Sequence, residues 1–188
     1  MIQLPIGSKS TIYGLLGLSL VLSGCTTGLT SPYPALTPDG DIIGASHVAA
    51  EALVAQASDQ LDFTKPLLAA SFANIDDLEQ TSSFGRIISQ QFATSFTHHG
   101  FRLIEMLLRK EVYIKQKGGE FLLSREVQKL SETHDVQAVI VGTYAVGKKS
   151  VFVTAKLIET RDSTVMASFN YQLPIGPDTK HLLKPDNQ

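Results

Sequence analysis

Along this chain the spacing of apolar positions changes character several times, and each change marks an element. The first apolar run, Ile12 to Leu22, holds no charged residue. From Thr26 to Gly44 the pattern dissolves into Thr, Ser, Pro and Gly, with Pro32, Pro34 and Pro38. Helical spacing comes next. Val48, Ala52, Leu53 and Ala55 predict an alanine-rich helix from about His47 to Leu61, capped by Ser46. Leu67 to Ala73, after Pro66, has the length of a buried strand, and Asn74-Ile75-Asp76-Asp77 closes it as a polar loop. Phe84, Ile88, Phe92 and Phe96 then share one face of a helix expected over Ser82 to His99. Ser82 or Ser83 can cap that helix, and Gly100 can end it in the left-handed conformation.

Phe101 to Leu107 reads as a strand. Arg109 to Lys117 fits either a short helix or a strand-like arm, and Gly118-Gly119 reads as a turn. Ser124 can cap a third helix from Arg125 to about Thr133, with Val127 and Leu130 facing inward. Val136 to Val146 predicts a central strand, and Gly147 to Ser150 a hairpin turn. Val151, Val153, Ala155 and Leu157 alternate with Phe152, Thr154, Lys156 and Ile158, the period of a strand. Arg161-Asp162-Ser163 turns into a final strand over Thr164 to Leu173. This order predicts an α/β (α+β) fold: a single mixed sheet of about five strands with helices packed on it. A βαβ start implies parallel neighbours, and the tight turns at the end imply a C-terminal antiparallel meander. The tail over 174–188, with Pro174, Pro177 and Pro185, is expected to be loosely ordered.

The run Ile12 to Leu22 is too short to span a bilayer core, which takes roughly 20 residues. It follows Lys9 and ends at Leu22-Ser23-Gly24-Cys25, so 1–24 reads as a secretory signal. The boundary resembles the lipobox of bacterial lipoproteins: a branched apolar residue, two small residues, then the cysteine. Cys25 is the only cysteine in the chain, and lipidation of its thiol accounts for a lone Cys in an exported protein. Segment 25–44 is then a lipidated tether, and 45–173 the folded domain. Thr26, where enteric-type bacteria place Asp to retain a lipoprotein at the inner membrane, points to the outer membrane.

Net charge is −2 with no basic run, so nothing suggests nucleic acid. Of the histidines His47, His98, His99, His134 and His181, the adjacent pair His98-His99 points about 100° apart on a helix and forms no chelating face. Asp76-Asp77-Leu78-Glu79 lacks the alternate-residue spacing of a calcium loop. No catalytic, metal or nucleotide motif stands out. The reading is therefore no enzyme, no metal and no cofactor beyond the covalent lipid on Cys25.

Three blocks carry a family resemblance. They are Asn74-Ile75-Asp76-Asp77-Leu78-Glu79-Gln80-Thr81-Ser82-Ser83-Phe84-Gly85-Arg86, Gly119-Glu120-Phe121-Leu122-Leu123-Ser124-Arg125-Glu126-Val127 and Ala138-Val139-Ile140-Val141-Gly142-Thr143-Tyr144-Ala145-Val146. Together they resemble FlgO-type proteins, flagellum-associated outer-membrane lipoproteins, over roughly residues 45–173. The element order is also similar to TolB amino-terminal regions, the curli-secretion lipoprotein and lipoprotein activators of peptidoglycan synthases. The resemblance implies a non-enzymatic structural or assembly role at the flagellum that supports motility. It implies a lipid-anchored domain on the outer membrane facing the periplasm, with flagellar basal-body or other envelope proteins as partners and self-association into a ring as a further expectation. The alternative it leaves open is an envelope lipoprotein that binds and regulates a cell-wall or secretion system. Phe84, Gly85, Arg86, Gly119, Glu120 and Arg125 are the residues expected at a partner contact, because glycines there allow close approach and charged residues lie beside apolar ones.

Overall fold

A long, largely apolar strand takes the middle of the sheet. In the computed structural model, which describes residues 38–78, 82–106, 113–115, 121–123 and 125–185, this strand is β6, Ala138–Val146. Its first five residues are buried, as a strand covered on both faces requires. Around it lie β1 (Leu67–Ala70), β2 (Ala73–Asn74), β3 (Leu103–Met106), β7 (Ser150–Glu159) and β8 (Val165–Pro174). The strand order is β3-β1-β6-β7-β8, with β2 also paired to β6. The fold is thus mixed α/β, with six strands in one mixed sheet. β3, β1 and β6 run parallel, while β6, β7 and β8 form the antiparallel meander.

Each face of the sheet has its own core. Alternate residues of β6 and β7 (Ala138, Ile140 and Tyr144; Val151, Val153, Ala155 and Leu157) meet α1 (Ile42–Ala57) and α2 (Ser83–His98). The opposite set, with Leu68, Ala70, Val139, Val141 and Ile158, meets Val127 and Leu130 of α3 (Arg125–Thr133). The second core covers β1 and part of β6. On β7 and β8, Phe152, Ser168, Asn170 and Gln172 stay exposed.

Several elements depart from the sequence expectation. Helix α1 starts at Ile42, five residues before His47, because Asp41 and not Ser46 is its cap: the Asp41 carboxylate accepts from the Gly44 N–H at 2.9 Å. Ser46 is buried instead, with its hydroxyl 3.3 Å from that of Tyr171 on β8. Burial pushes the Tyr171 phenol up to about 12. The helix also ends at Ala57, short of Leu61. The strand expected over Leu67 to Ala73 breaks at Ser71-Phe72 into β1 and β2, where Phe72 turns into the core. Within Arg109 to Lys117, Tyr113–Lys115 is a strand, β4, paired antiparallel with β5 (Phe121–Leu123) in a separate two-stranded sheet. The tail is not loose where it is described: Pro177–Leu182 forms α4. Its first amides are capped from across the chain, as Asp178 and Thr179 N–H groups donate to the Asp39 carboxylate at 3.0 and 2.7 Å. Those bonds hold the Asp39 carboxyl below its ordinary range.

The expectations for 1–37, including the signal, Cys25 and most of the tether, lie outside the described residues, as do Gly118-Gly119, Glu120 and the Ser124 cap. Among the described residues no helix is long and apolar enough to cross a membrane.

Candidate interaction surfaces

The block at the start of α2, expected at a partner contact, is mostly a structural junction. Ser82 caps the helix, its Oγ accepting from the Gly85 N–H at 3.2 Å, and the same hydroxyl lies 2.6 Å from the Tyr144 hydroxyl on β6. Phe84 is fully buried and stands edge-on to Tyr144, with ring centroids 5.2 Å apart. Gly85 is buried too: a Cβ there would sit 2.1 Å from the Phe72 carbonyl oxygen. That closeness lets the Phe72 N–H donate to the Gly85 carbonyl at 3.2 Å. Gly142 plays the matching part on β6, since a Cβ there would strike the Phe72 ring. Gly85 therefore makes room for the Phe72 backbone and Gly142 for the Phe72 ring, and Phe84 and Gly85 are buried in the core. Arg86 is half-buried and donates from Nη2 to the Ser83 hydroxyl at 3.0 Å.

The second expected band is less visible. Arg125 begins α3, and Gly119 and Glu120 lie outside the described residues. At the end of α2, His99 Nδ1 is 2.9 Å from the Ser95 carbonyl oxygen, so this ring closes the helix end. The Asp76 N–H donates to the Asn74 side chain at 3.1 Å, a local turn. Among the described residues no group of three or more His, Cys, Asp or Glu could hold a metal ion.

A cleft of about 680 Å³ at the amino-terminal end of β1 and β6 is a surface that sequence reasoning missed. Asp62 and Lys65 form one wall, Glu132 and Asp135 at the end of α3 another, and Glu159 and Arg161 a third. Gln137 ties the walls together. Its amide donates to the carbonyl oxygens of Asp62 and Lys65 at 2.6 and 2.9 Å and accepts from the Asp62 N–H at 2.8 Å. The two bases are already paired, Lys65 with Asp135 at 3.4 Å and Arg161 with Glu159. Thr64 bonds hold the Asp62 carboxyl below its ordinary range, so it stays ionised at neutral pH. These charges are far apart in sequence, which is why no motif announces them. A second missed surface is the bare side of the meander, where Phe152 is 53% exposed among Thr154, Asn170 and Gln172. The period-two pattern placed Phe152 opposite Val151 and Val153, and that alternation was its only signal.

The sequence model described as "FlgO protein" matches residues 47–178, which takes in α1 after its first turn, the whole six-stranded sheet and the start of α4. This chain belongs to the FlgO family. The fold of this FlgO-family chain is like that of the LpoB C-terminal domain from Salmonella enterica, at 12% identity and a TM-score of 0.50, covering 70% of this chain and 97% of that one. The LpoB C-terminal domain from Escherichia coli matches at 10% identity and a TM-score of 0.47, covering 72% of this chain and 98% of that one. Among curated proteins none matches the sequence. The FlgO-family match spans all three sequence blocks, and the geometry gives two of them a packing role around Phe72 and Tyr144.

Proposed function

We propose that this chain is an outer-membrane lipoprotein with a non-enzymatic structural or assembly role at the flagellum, supporting motility. The observation that carries the reading is the FlgO-family match over residues 47–178, joined to the lipobox Leu22-Ser23-Gly24-Cys25 upstream of it. In this reading lipid on Cys25 fixes the domain to the periplasmic side of the outer membrane. Two or more acyl chains are enough for stable attachment. Asp39 is bound to α4, so the segment from Cys25 to Asp39 sets the greatest distance between the anchor and that contact. Fully extended, that segment spans at most about 50 Å. The domain offers partners its bare sheet face and its acidic cleft.

Cys25→Ser tests the anchor: the protein should leave the membrane fraction, and unchanged fractionation would refute it. Deleting the gene tests the role. Loss of swimming with normal growth is the expected outcome. A second reading, an envelope lipoprotein that binds and regulates a cell-wall or secretion system, is favoured by the likeness of fold to the LpoB domain. Wall defects with normal swimming would establish that reading over the flagellar one.

A further inference from the structure

Strand β8 closes the sheet on one side, so among the described residues one row of its backbone N–H and C=O groups has no strand to pair with. Proteins usually blunt such an edge with charge, proline or a bulge, because it templates pairing with another chain. Here the bulge lies near the start of the strand, opposite Leu157/Ile158, and Pro174 ends it. Between them, Ala167 to Leu173 contains no charge, no Gly and no Pro. A run of that kind is well suited to adding a further strand.

One contact already occupies the edge. Gln56 of α1 lays its side-chain amide along β8: its Nε2 donates to the Ser168 carbonyl at 3.2 Å, and its Oε1 accepts from the Ser168 N–H at 3.3 Å. A primary amide presenting a donor and an acceptor to one residue imitates what a neighbouring antiparallel strand presents to it. Backbone groups alternate sides along a strand. Ser168 points outward, so Asn170 and Gln172 belong to the same outward row, and the side chains of all three are exposed.

We infer that this edge is where a second copy of the chain docks, by antiparallel pairing of the two β8 strands about a two-fold axis at Asn170. Gln56 is the placeholder that the incoming strand displaces. The edge is complementary to itself. With the axis at Asn170, that residue faces its own counterpart, and Ser168 faces Gln172 of the second copy. Neutral amides and a hydroxyl then meet across the pair, with no like charges opposed. A strand selected by charge would find none on this stretch of β8 to read. The inference goes beyond the anchoring role and stands without it.

Sedimentation of the full chain over a concentration series, with detergent micelles in excess, tests it. The variants are Asn170→Lys and Asn170→Asp, alone and mixed. Wild type should form a dimer. Each variant alone should dimerise about tenfold more weakly, because like charges meet on the axis. The equimolar mixture should recover wild-type association, since opposite charges then meet. Gln56→Ala should tighten the dimer by removing the intramolecular competitor. Both sites are exposed, so the variants should keep the wild-type circular dichroism spectrum. A monomeric wild type, single variants that associate as well as wild type, or a mixture that stays dissociated would each overturn the proposal. A weaker dimer in Gln56→Ala would overturn the placeholder role.

Discussion

Gly85→Ala sets two expectations against each other. Gly85 lies in the first turn of α2, and by helix propensity alone alanine there should stabilise by up to about 1 kcal/mol. The packing says the opposite. The added Cβ would stand 2.1 Å from the Phe72 carbonyl oxygen, a backbone atom that no rotamer change can remove. Relief requires the start of α2 to withdraw from the β1–β2 break. Withdrawal stretches the Phe72 N–H bond to the Gly85 carbonyl and the Ser82 cap on the Gly85 N–H, both now at 3.2 Å. Overpacking costs about 1–3 kcal/mol, and a lost cap or hydrogen bond about 1 kcal/mol each. Against the propensity gain, the net is a loss of about 2–4 kcal/mol. For a domain of this size that lowers the melting temperature by about 5–12 °C. Urea titration followed by far-UV circular dichroism measures it directly. A variant at or above wild-type stability would refute the claim that this glycine is present for close approach.

Tyr144→Phe removes the hydroxyl 2.6 Å from Ser82 Oγ in a buried setting and should cost about 1–2 kcal/mol in the same titration, while an unchanged midpoint would mean that the pair contributes nothing. Gln137→Ala frees the loop at Asp62–Lys65 and should raise amide hydrogen exchange at Asp62 well above that of β7, which keeps its own ladder; equal exchange before and after would show that the loop is held by other contacts. The Asp39 carboxyl is lowered from 3.8, chiefly by its bond from the Thr179 N–H, so its hold on α4 is complete above that pH and is lost as pH falls through the lower folded value. The amide resonances of Asp178 and Thr179 should therefore titrate below pH 3.8 in NMR spectra, and Asn at position 39 should abolish the titration.

The parts of the fold legible in the sequence are those governed by one periodicity at a time. The meander could be read because Val151 to Leu157 alternates cleanly between two turns, and α2 because its Phe face repeats at helical spacing next to a Ser cap and ahead of Gly100, which has a φ of +88°. What could not be read depends on residues distant in sequence. The first turn of α1 is one case: Asp41 is a good cap residue, but Ile42-Ile43-Gly44 looks unhelical until Ala49, Ala50 and Leu53 are buried against the sheet. Nothing local folds the tail, because the cap for α4 arrives from Asp39. Phe84 and Gly85, expected at a partner contact, are buried, and the reason this was not legible is related. A glycine beside an aromatic signals close approach, but the sequence does not say whether the approaching group belongs to a partner or to the chain itself. Here it is Phe72.

The placement of β6 also dictates an order of events as the chain is made. Leu67–Ala70 and Ala73–Asn74 both pair with β6, and β6 begins only at Ala138. A chain emerging amino terminus first, from a ribosome or a translocation pore, presents β1 and α2 long before the strand that completes their core exists. Pairings this distant in sequence are slow to form, since loop closure precedes the contacts that reward it. The sheet that β1 and β2 join therefore cannot close until the last third of the chain arrives. The Asp39–α4 clasp, joining the two ends of the described domain, waits likewise on the last residues to be made.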